Sequence, residues 1–306
     1  MRRLVSLVVV VALMSGLAVF AEAEQRGGRG NLSPEEMAAR QAEQARQLAE
    51  AMKEPSPIAA LDTIWMEKLT WMEVRDAMKA GKTTALIPTG GVEPNGPYLA
   101  TGKHNYVLEG ACEGIARKLG NALCAPIVKL VPEGDHEPPT GHMQSPGTIS
   151  LRPETFQMML ADIGTSLKAQ GFRHIIFFGD SGGNQSGMEA TATALNEKWG
   201  EKAAHFIPEF YRYGEVTEHM EKTMGIMQES EGFHDDFVIT SLMMVTDPTS
   251  VRYDQRVKAG KASINSVSIV PKEKTIEIGK KLMEFRVDQT IKAINAAIDG
   301  SMSNRN

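Results

Sequence analysis

The chain has 306 residues, of which 42% are hydrophobic, and its formal net charge at pH 7 is −5. This length is sufficient for one large domain with its own hydrophobic core. The acidic balance argues against a nucleic-acid partner, because such a partner requires a basic face.

Residues 1–23 predict a cleaved secretory signal peptide. Two arginines precede an apolar run over residues 4–20, and small residues follow it. A membrane anchor is the alternative, but the run is short for a spanning helix. We therefore expect an exported protein, periplasmic or secreted, with no membrane association after cleavage. In an oxidising compartment Cys112 and Cys124 either form one disulfide or remain two buried thiols, and the sequence leaves both open.

Three further segments follow the predicted signal peptide. Residues 24–58 predict a flexible polar tract and then a helix, because Ser33 is followed by a proline and a glutamate at the positions typical of a helix start. Residues 59–300 predict an α/β domain. Residues 301–306 form a polar tail.

Helical and strand patterns alternate through the predicted α/β domain. Apolar residues at helical spacing predict helices over 69–81, 104–120, 152–171 and 184–200. Short apolar runs predict strands over 83–91, 122–132, 172–180 and 203–210. This order of strand, loop and helix predicts a three-layer α/β/α sandwich with a mainly parallel sheet.

Polar side chains follow three of these strands at their carboxyl ends. They are Glu93, Asn95, Asp135, His136, Glu137, Asp180 and Ser181. Because ligands bind at the carboxyl ends of the strands in such sheets, the sequence predicts a shared site there.

Residues 179–183 read Gly-Asp-Ser-Gly-Gly, the sequence around the nucleophile of trypsin-like proteases. In those proteases the segment joins strands of an antiparallel barrel, whereas here it ends a predicted strand and opens a helix. The context therefore excludes the trypsin-like interpretation. The segment also satisfies Gly-x-Ser-x-Gly, so a serine hydrolase with Ser181 as the nucleophile is an alternative.

Four segments of the chain carry motifs of a known family, in that family's order. Their central parts read GVEPNGPYLATGKH, GHMQSPGTISL, GFRHIIFFGDSGGN and GFHDDFVITSLMM. Together they resemble the creatininase family of creatinine amidohydrolase-like metalloenzymes, from about Leu69 to about Met244. The resemblance implies the α/β/α fold and a metal-dependent hydrolase that cleaves a C–N bond in a small amide or cyclic amide.

In that family, a glutamate, an aspartate and two histidines bind a pair of divalent metals, usually zinc or manganese. This chain keeps the glutamate as Glu93 but has Asn95, His104 and Ser181 at the other three positions. One imidazole nitrogen cannot bridge two metals as a carboxylate can. We therefore predict one metal rather than two, bound by Glu93, His104 and Asp180.

The other predicted site residues have roles in catalysis or substrate binding. His234, with Asp235 beside it, would transfer a proton to the leaving nitrogen. Backbone N–H groups around Gly182 and Gly183 would stabilise the oxyanion. Substrate contacts are predicted for Asn95, His136, Glu137 and His142.

The altered ligand positions leave another function open. A pocket without metal would bind a small polar ligand as a non-catalytic pseudoenzyme of the same fold. In either case the partner of the site is a small molecule. The resemblance further suggests a homo-oligomer, hexameric as in other members of the family.

Overall fold

The computed structural model describes residues 33–303. The predicted signal peptide, residues 1–23, lies outside the described residues. The described part of the chain divides into two compact units, with the boundary between Pro57 and Ile58. None of the helices in the described part of the chain is both long enough and apolar enough to cross a membrane.

The first unit contains one described helix, α1 (Pro34–Ala51). It begins as predicted, since Ser33 and Glu36 form a capping box in which each side chain accepts a hydrogen bond from the other's backbone N–H. No residue of α1 is buried. Its stability therefore comes from helix propensity, the cap and pairs such as Glu43 with Arg46 along its surface.

The second unit is built around a four-stranded parallel sheet. Its strands are β1 (Thr84–Thr89), β2 (Ala122–Cys124), β3 (His174–Gly179) and β4 (Ala204–Phe206), and they lie in the order β2-β1-β3-β4. Strand β1 is central and every one of its residues is buried. Its six residues pair in register with β3, so the two strands end side by side at Thr89 and Gly179.

Helices connect and cover the strands. They are α2 (Trp71–Lys79), α3 (Lys103–Leu119), α4 (Pro153–Ala169), α5 (Gln185–Trp199), α6 (Tyr213–Met224), α7 (Phe237–Thr246), α8 (Tyr253–Lys258) and α9 (Lys272–Ser303). A short antiparallel hairpin of β5 (Ser263–Ile264) and β6 (Val267–Ser268) precedes α9.

Alternating strand residues point into two separate hydrophobic cores. Leu86 and Phe178 pack in a core with α3, α7 and α9. Ile87 and Phe177 pack in the second core, on the opposite face, with α4 and α5. Two helical layers thus enclose the sheet, which confirms the predicted three-layer α/β/α sandwich.

Two predicted strands are shorter in the structure. Strand β2 ends at Cys124, shortly before Pro126, a residue that has no N–H to donate. Beyond Pro126 the chain pairs with the sheet through isolated bridges, such as the one between Thr89 and Val128. Strand β4 gives way to a 3₁₀ turn that begins at Pro208.

The two cysteines, which the sequence left as either a disulfide or two thiols, are bonded in the structure. Cys112 on α3 is disulfide-bonded to Cys124 at the end of β2.

Candidate active site at the carboxyl edge of the sheet

A cavity of about 370 Å³ lies beyond the carboxyl ends of β1 and β3. This is the edge at which the sequence predicted a site. The cavity is lined by Glu93, His104, Pro132, Glu133, Gly134, His142, Ser181, Gly182, Gly183, Tyr211 and His234.

Two asparagines fix the backbone where β1 enters the cavity wall. The side-chain amide of Asn184 donates hydrogen bonds to the carbonyl oxygens of Thr89 and Gly90, at 3.2 and 2.8 Å. The side chain of Asn105 donates to the carbonyl oxygen of Gly91 at 3.1 Å. A Cβ atom on Gly90 would lie only 1.9 Å from Asn105 Oδ1, so glycine is required for this close approach.

Glu93 is the centre of the site. The residue is 2% exposed, and its Oε1 lies 3.0 Å from Lys103 Nζ and 2.8 Å from His104 Nε2. Burial alone would raise the pKa of this carboxyl group. Hydrogen bonds and positive charge from His104 and Lys103 outweigh burial and hold the pKa below its usual range, so Glu93 is ionised.

His104 lies between two carboxylates. Its Nε2 is 2.8 Å from Glu93 Oε1, and its Nδ1 is 2.8 Å from Asp180 Oδ2. An ionised carboxylate only accepts hydrogen bonds, so both ring nitrogens carry protons. Burial opposes this charge, but the two carboxylates raise the pKa of His104. In this arrangement neither nitrogen has a lone pair for a metal.

Asp180 lies behind His104 and does not line the cavity. It is fully buried, accepts hydrogen bonds from the Tyr213 hydroxyl at 2.9 Å and forms an ion pair with Arg286 of α9. Burial favours the neutral acid, but Arg286 and His104 lower the pKa of Asp180. The guanidinium of Arg286 also donates to the Phe210 carbonyl oxygen at 2.8 Å. A continuous row of alternating charges therefore runs from Glu93 through His104 and Asp180 to Arg286.

A second set of side chains offers a place for a metal. One donor atom from each of Glu93, His142 and His234 lies within 4.8 Å of the others. We call these three residues the triad. His142 Nδ1 lies 3.2 Å from Glu93 Oε2, yet this buried nitrogen has no hydrogen-bond partner within the described residues. One carboxylate and two imidazoles suit a single zinc or manganese ion, so the donor set fits the predicted metal.

Lys103 also reaches the triad. Its ammonium lies 3.0 Å from Glu93 Oε1 and 3.4 Å from His234 Nε2, and the side chain is 4% exposed. The other ring nitrogen of His234 donates to the Pro94 carbonyl oxygen at 3.1 Å. Burial and the positive charge of Lys103 lower the pKa of His234, so this imidazole is neutral.

Glu133 is a second buried carboxyl group in the cavity wall. It is 6% exposed, and burial together with the negative charge of Glu93 raises its pKa to about 8. At neutral pH it therefore retains its proton. Glu133 lies in the turn-rich loop of residues 132–141, where a polar side chain is commonly only solvated, so the sequence did not distinguish it.

The glycine-rich turn after β3 forms the opposite wall. Ser181, Gly182 and Gly183 line the cavity. A Cβ atom on Gly183 would lie 2.4 Å from the carbonyl oxygen of Pro132, so this turn requires glycine. Within the described residues no hydrogen bond joins Ser181 Oγ to His104, His142 or His234, and the pairing that would activate a nucleophile is not formed.

Other predicted residues lie outside the cavity. Asn95 donates to the carbonyl oxygens of Glu93 and Ala100 and so holds their loop. His136 and Glu137 line a neighbouring cavity of about 690 Å³. These three predicted substrate contacts therefore do not face the triad.

Asp235 packs beneath the loop that follows Glu93. A Cβ atom on Gly96 would lie 2.0 Å from its Oδ2. Burial raises the pKa of Asp235. This carboxyl group is not among the residues that line the cavity with His234.

Comparison with known proteins agrees with this fold. The sequence profile of the creatininase family, described as creatinine amidohydrolase, matches residues 67–294. The chain therefore belongs to the creatininase family.

One curated relative is a 3-dehydro-scyllo-inosose hydrolase from Thermotoga maritima, 27% identical over 119 residues. The match spans 39% of this chain and only 36% of that relative.

Several solved structures share the fold. A manganese form of creatininase is 19% identical, with a TM-score of 0.58 over 77% of this chain and 98% of that chain. A creatininase mutant complexed with creatine is 20% identical, with a TM-score of 0.55 and the same coverage. A putative creatinine amidohydrolase from Bacteroides fragilis is 19% identical, with a TM-score of 0.53 over 76% of this chain and 95% of that chain.

Proposed function

We propose that this protein is a metal-dependent hydrolase that cleaves a C–N bond, of an amide or a cyclic amide, in a small polar molecule. The observation that carries the proposal is the triad at the wall of the cavity. The family supports hydrolysis, since the relatives named above include a hydrolase and creatinine amidohydrolases. The cavity of about 370 Å³ suits a small substrate.

In this proposal one zinc or manganese ion is held by Glu93, His142 and His234. Such an ion would supply Lewis-acid polarisation of the scissile bond. This ligand set keeps Glu93 from the sequence-based prediction and replaces His104 and Asp180. Those two residues instead hold the Glu93 carboxylate in place, in the way that outer partners orient a metal ligand.

The remaining cavity walls position the substrate. Gly182 and Gly183 line the cavity, and their backbone N–H groups would stabilise the negative charge that develops in amide hydrolysis, as donors of this kind do in oxyanion holes. The sequence assigned proton transfer to His234, which is a ligand in the present proposal. Glu133 lines the same cavity and takes that role, delivering its proton to the leaving nitrogen.

Metal content after reconstitution tests the proposal. The purified protein is incubated with excess zinc or manganese, freed of unbound metal and analysed by plasma mass spectrometry. We expect one ion per chain, lost in His142→Ala and in His234→Ala. His219→Ala is the matched control, because His219 stacks on Phe285 outside the cavity. An amide-substrate screen follows only if metal binds.

Two results would count against this function. If both histidine variants retain the metal, the ligand set is wrong. If no metal binds after reconstitution, the hydrolase proposal fails.

The non-catalytic pseudoenzyme is the second candidate, and a specific observation favours it. The positive charge of Lys103 lies against Glu93, and a pocket without a metal would need such a charge to balance this buried carboxylate. A serine hydrolase has weaker support, because Ser181 has no hydrogen bond to a cavity histidine. A phosphonate probe distinguishes these candidates, since it labels an active serine and leaves a binding protein unmodified.

A further inference from the structure

Lys103 is buried at the start of α3 in contact with two of the three triad residues. Its Nζ is 3.0 Å from Glu93 Oε1 and 3.4 Å from His234 Nε2. The residue is 3% exposed, so bulk water has little access to replace these partners. The ammonium is thus held by the triad itself.

The position of the proton on the His234 ring determines how Lys103 contacts it. His234 Nδ1 donates to the Pro94 carbonyl oxygen, so His234 Nε2 carries the lone pair. That lone pair faces Lys103 Nζ. The lysine therefore donates to a carboxylate oxygen and an imidazole lone pair, which are the two kinds of atom that a divalent cation would use.

We propose that Lys103 is an internal competitor for the metal: its ammonium occupies the cation position of the triad when no metal is bound, and it must leave Glu93 before a metal binds. This inference rests on the proposed function. A monovalent ammonium and a divalent metal repel each other, and both require the same Glu93 carboxylate. The four-carbon stem of lysine is flexible enough for the ammonium to withdraw.

The competition lowers the affinity of the triad for metal. Metal binding must break the buried contact between the Lys103 ammonium and the Glu93 carboxylate. The displaced ammonium must then be accommodated elsewhere in the cavity wall. Removing the ammonium removes this cost. A variant without the charge at residue 103 should bind zinc at least tenfold more tightly than the unaltered protein.

Zinc affinity measured against a chromophoric chelator tests this. Lys103→Met keeps a linear apolar side chain and loses the charge. Lys118→Met is the matched control, since Lys118 lies on the same helix and pairs with Glu284 and Asp288 at the surface. We expect at least tenfold tighter binding in the first variant and unchanged binding in the control. Equal or weaker zinc binding in Lys103→Met overturns the inference.

A second measurement uses the unaltered protein and does not depend on the folding of a variant. Lys103 is treated by reductive methylation with and without saturating zinc, and its peptide is analysed by mass spectrometry. We expect little modification without zinc, because the ammonium is buried, and increased modification with zinc. The same extent of methylation in both samples contradicts displacement.

The two proposals fail in different ways. If the unaltered protein and Lys103→Met bind zinc equally well, only the competition is refuted. If neither binds zinc, the triad is not a metal site, and the proposed function fails together with this inference.

Discussion

Replacing Arg286 with methionine should destabilise the protein strongly. The guanidinium is 2% exposed and is the partner of the fully buried carboxylate of Asp180. Removing one member of a buried ion pair typically costs about 3–5 kcal/mol, because the other charge stays buried without its partner. Folded domains have only about 5–15 kcal/mol of stability. We therefore expect Arg286→Met to lose about 3–5 kcal/mol of unfolding free energy.

Urea denaturation of the two single variants and the double variant measures this loss. Asp180→Asn removes the carboxylate charge, so Arg286→Met should cost less in that background than alone. Lys118→Met breaks an exposed ion pair and should cost about 0–1 kcal/mol. A loss below about 1 kcal/mol for Arg286→Met, or additive losses in the double variant, would refute the buried charge row.

Three further predictions concern the cavity and the chain's processing. Glu133→Gln should be more stable than the unaltered protein at pH 9, by at least about 1 kcal/mol, and equally stable at pH 4. The pKa of Glu133 is about 8 in the folded protein and about 4.3 in the unfolded chain. The folded state of the unaltered protein therefore loses stability as the pH rises between these two values. Urea titrations at both pH values measure this, with Glu137→Gln in the same loop as control. Gly183→Ala should cost about 1–3 kcal/mol in thermal unfolding, since its Cβ would meet the carbonyl oxygen of Pro132, whereas Gly214→Ala has open space and should cost nothing. Intact-mass spectrometry of the protein purified after expression of the full sequence in a bacterium should give a chain without the predicted signal peptide, and a full-length mass would contradict that prediction.

The fold could be predicted because its signals are local. Each of the four strands is a short apolar run, and each connecting helix has its own apolar spacing and a glycine stop, as at Gly120 and Gly200. The ends of β2 and β4 were less predictable. The residues after Cys124 and before Pro208 are apolar enough for strands, but proline interrupts their hydrogen bonding.

The sequence indicated the edge of the sheet at which the site lies, but not which side chains form ion pairs there. His104 takes the place of a metal-binding aspartate, so the family pattern assigns it to the metal. Its ring is instead bound on both sides, by Glu93 and by Asp180, which is 76 residues away. The counter-charge of Asp180 is Arg286, 106 residues further on. A sequence pattern records neither contact, because both depend on how α3, β3 and α9 pack.

The row of charges from Glu93 to Arg286 also sets the order in which the site can be completed. Every side chain that lines the cavity has been synthesised by residue 234, but Arg286 lies near the middle of the last helix. Until α9 is made and docked, Asp180 lacks its strongest counter-charge, and burial favours its neutral form. A nascent chain, which folds from its N-terminal end, therefore passes through a stage in which all cavity residues exist but Asp180 behind them has no counter-charge from Arg286.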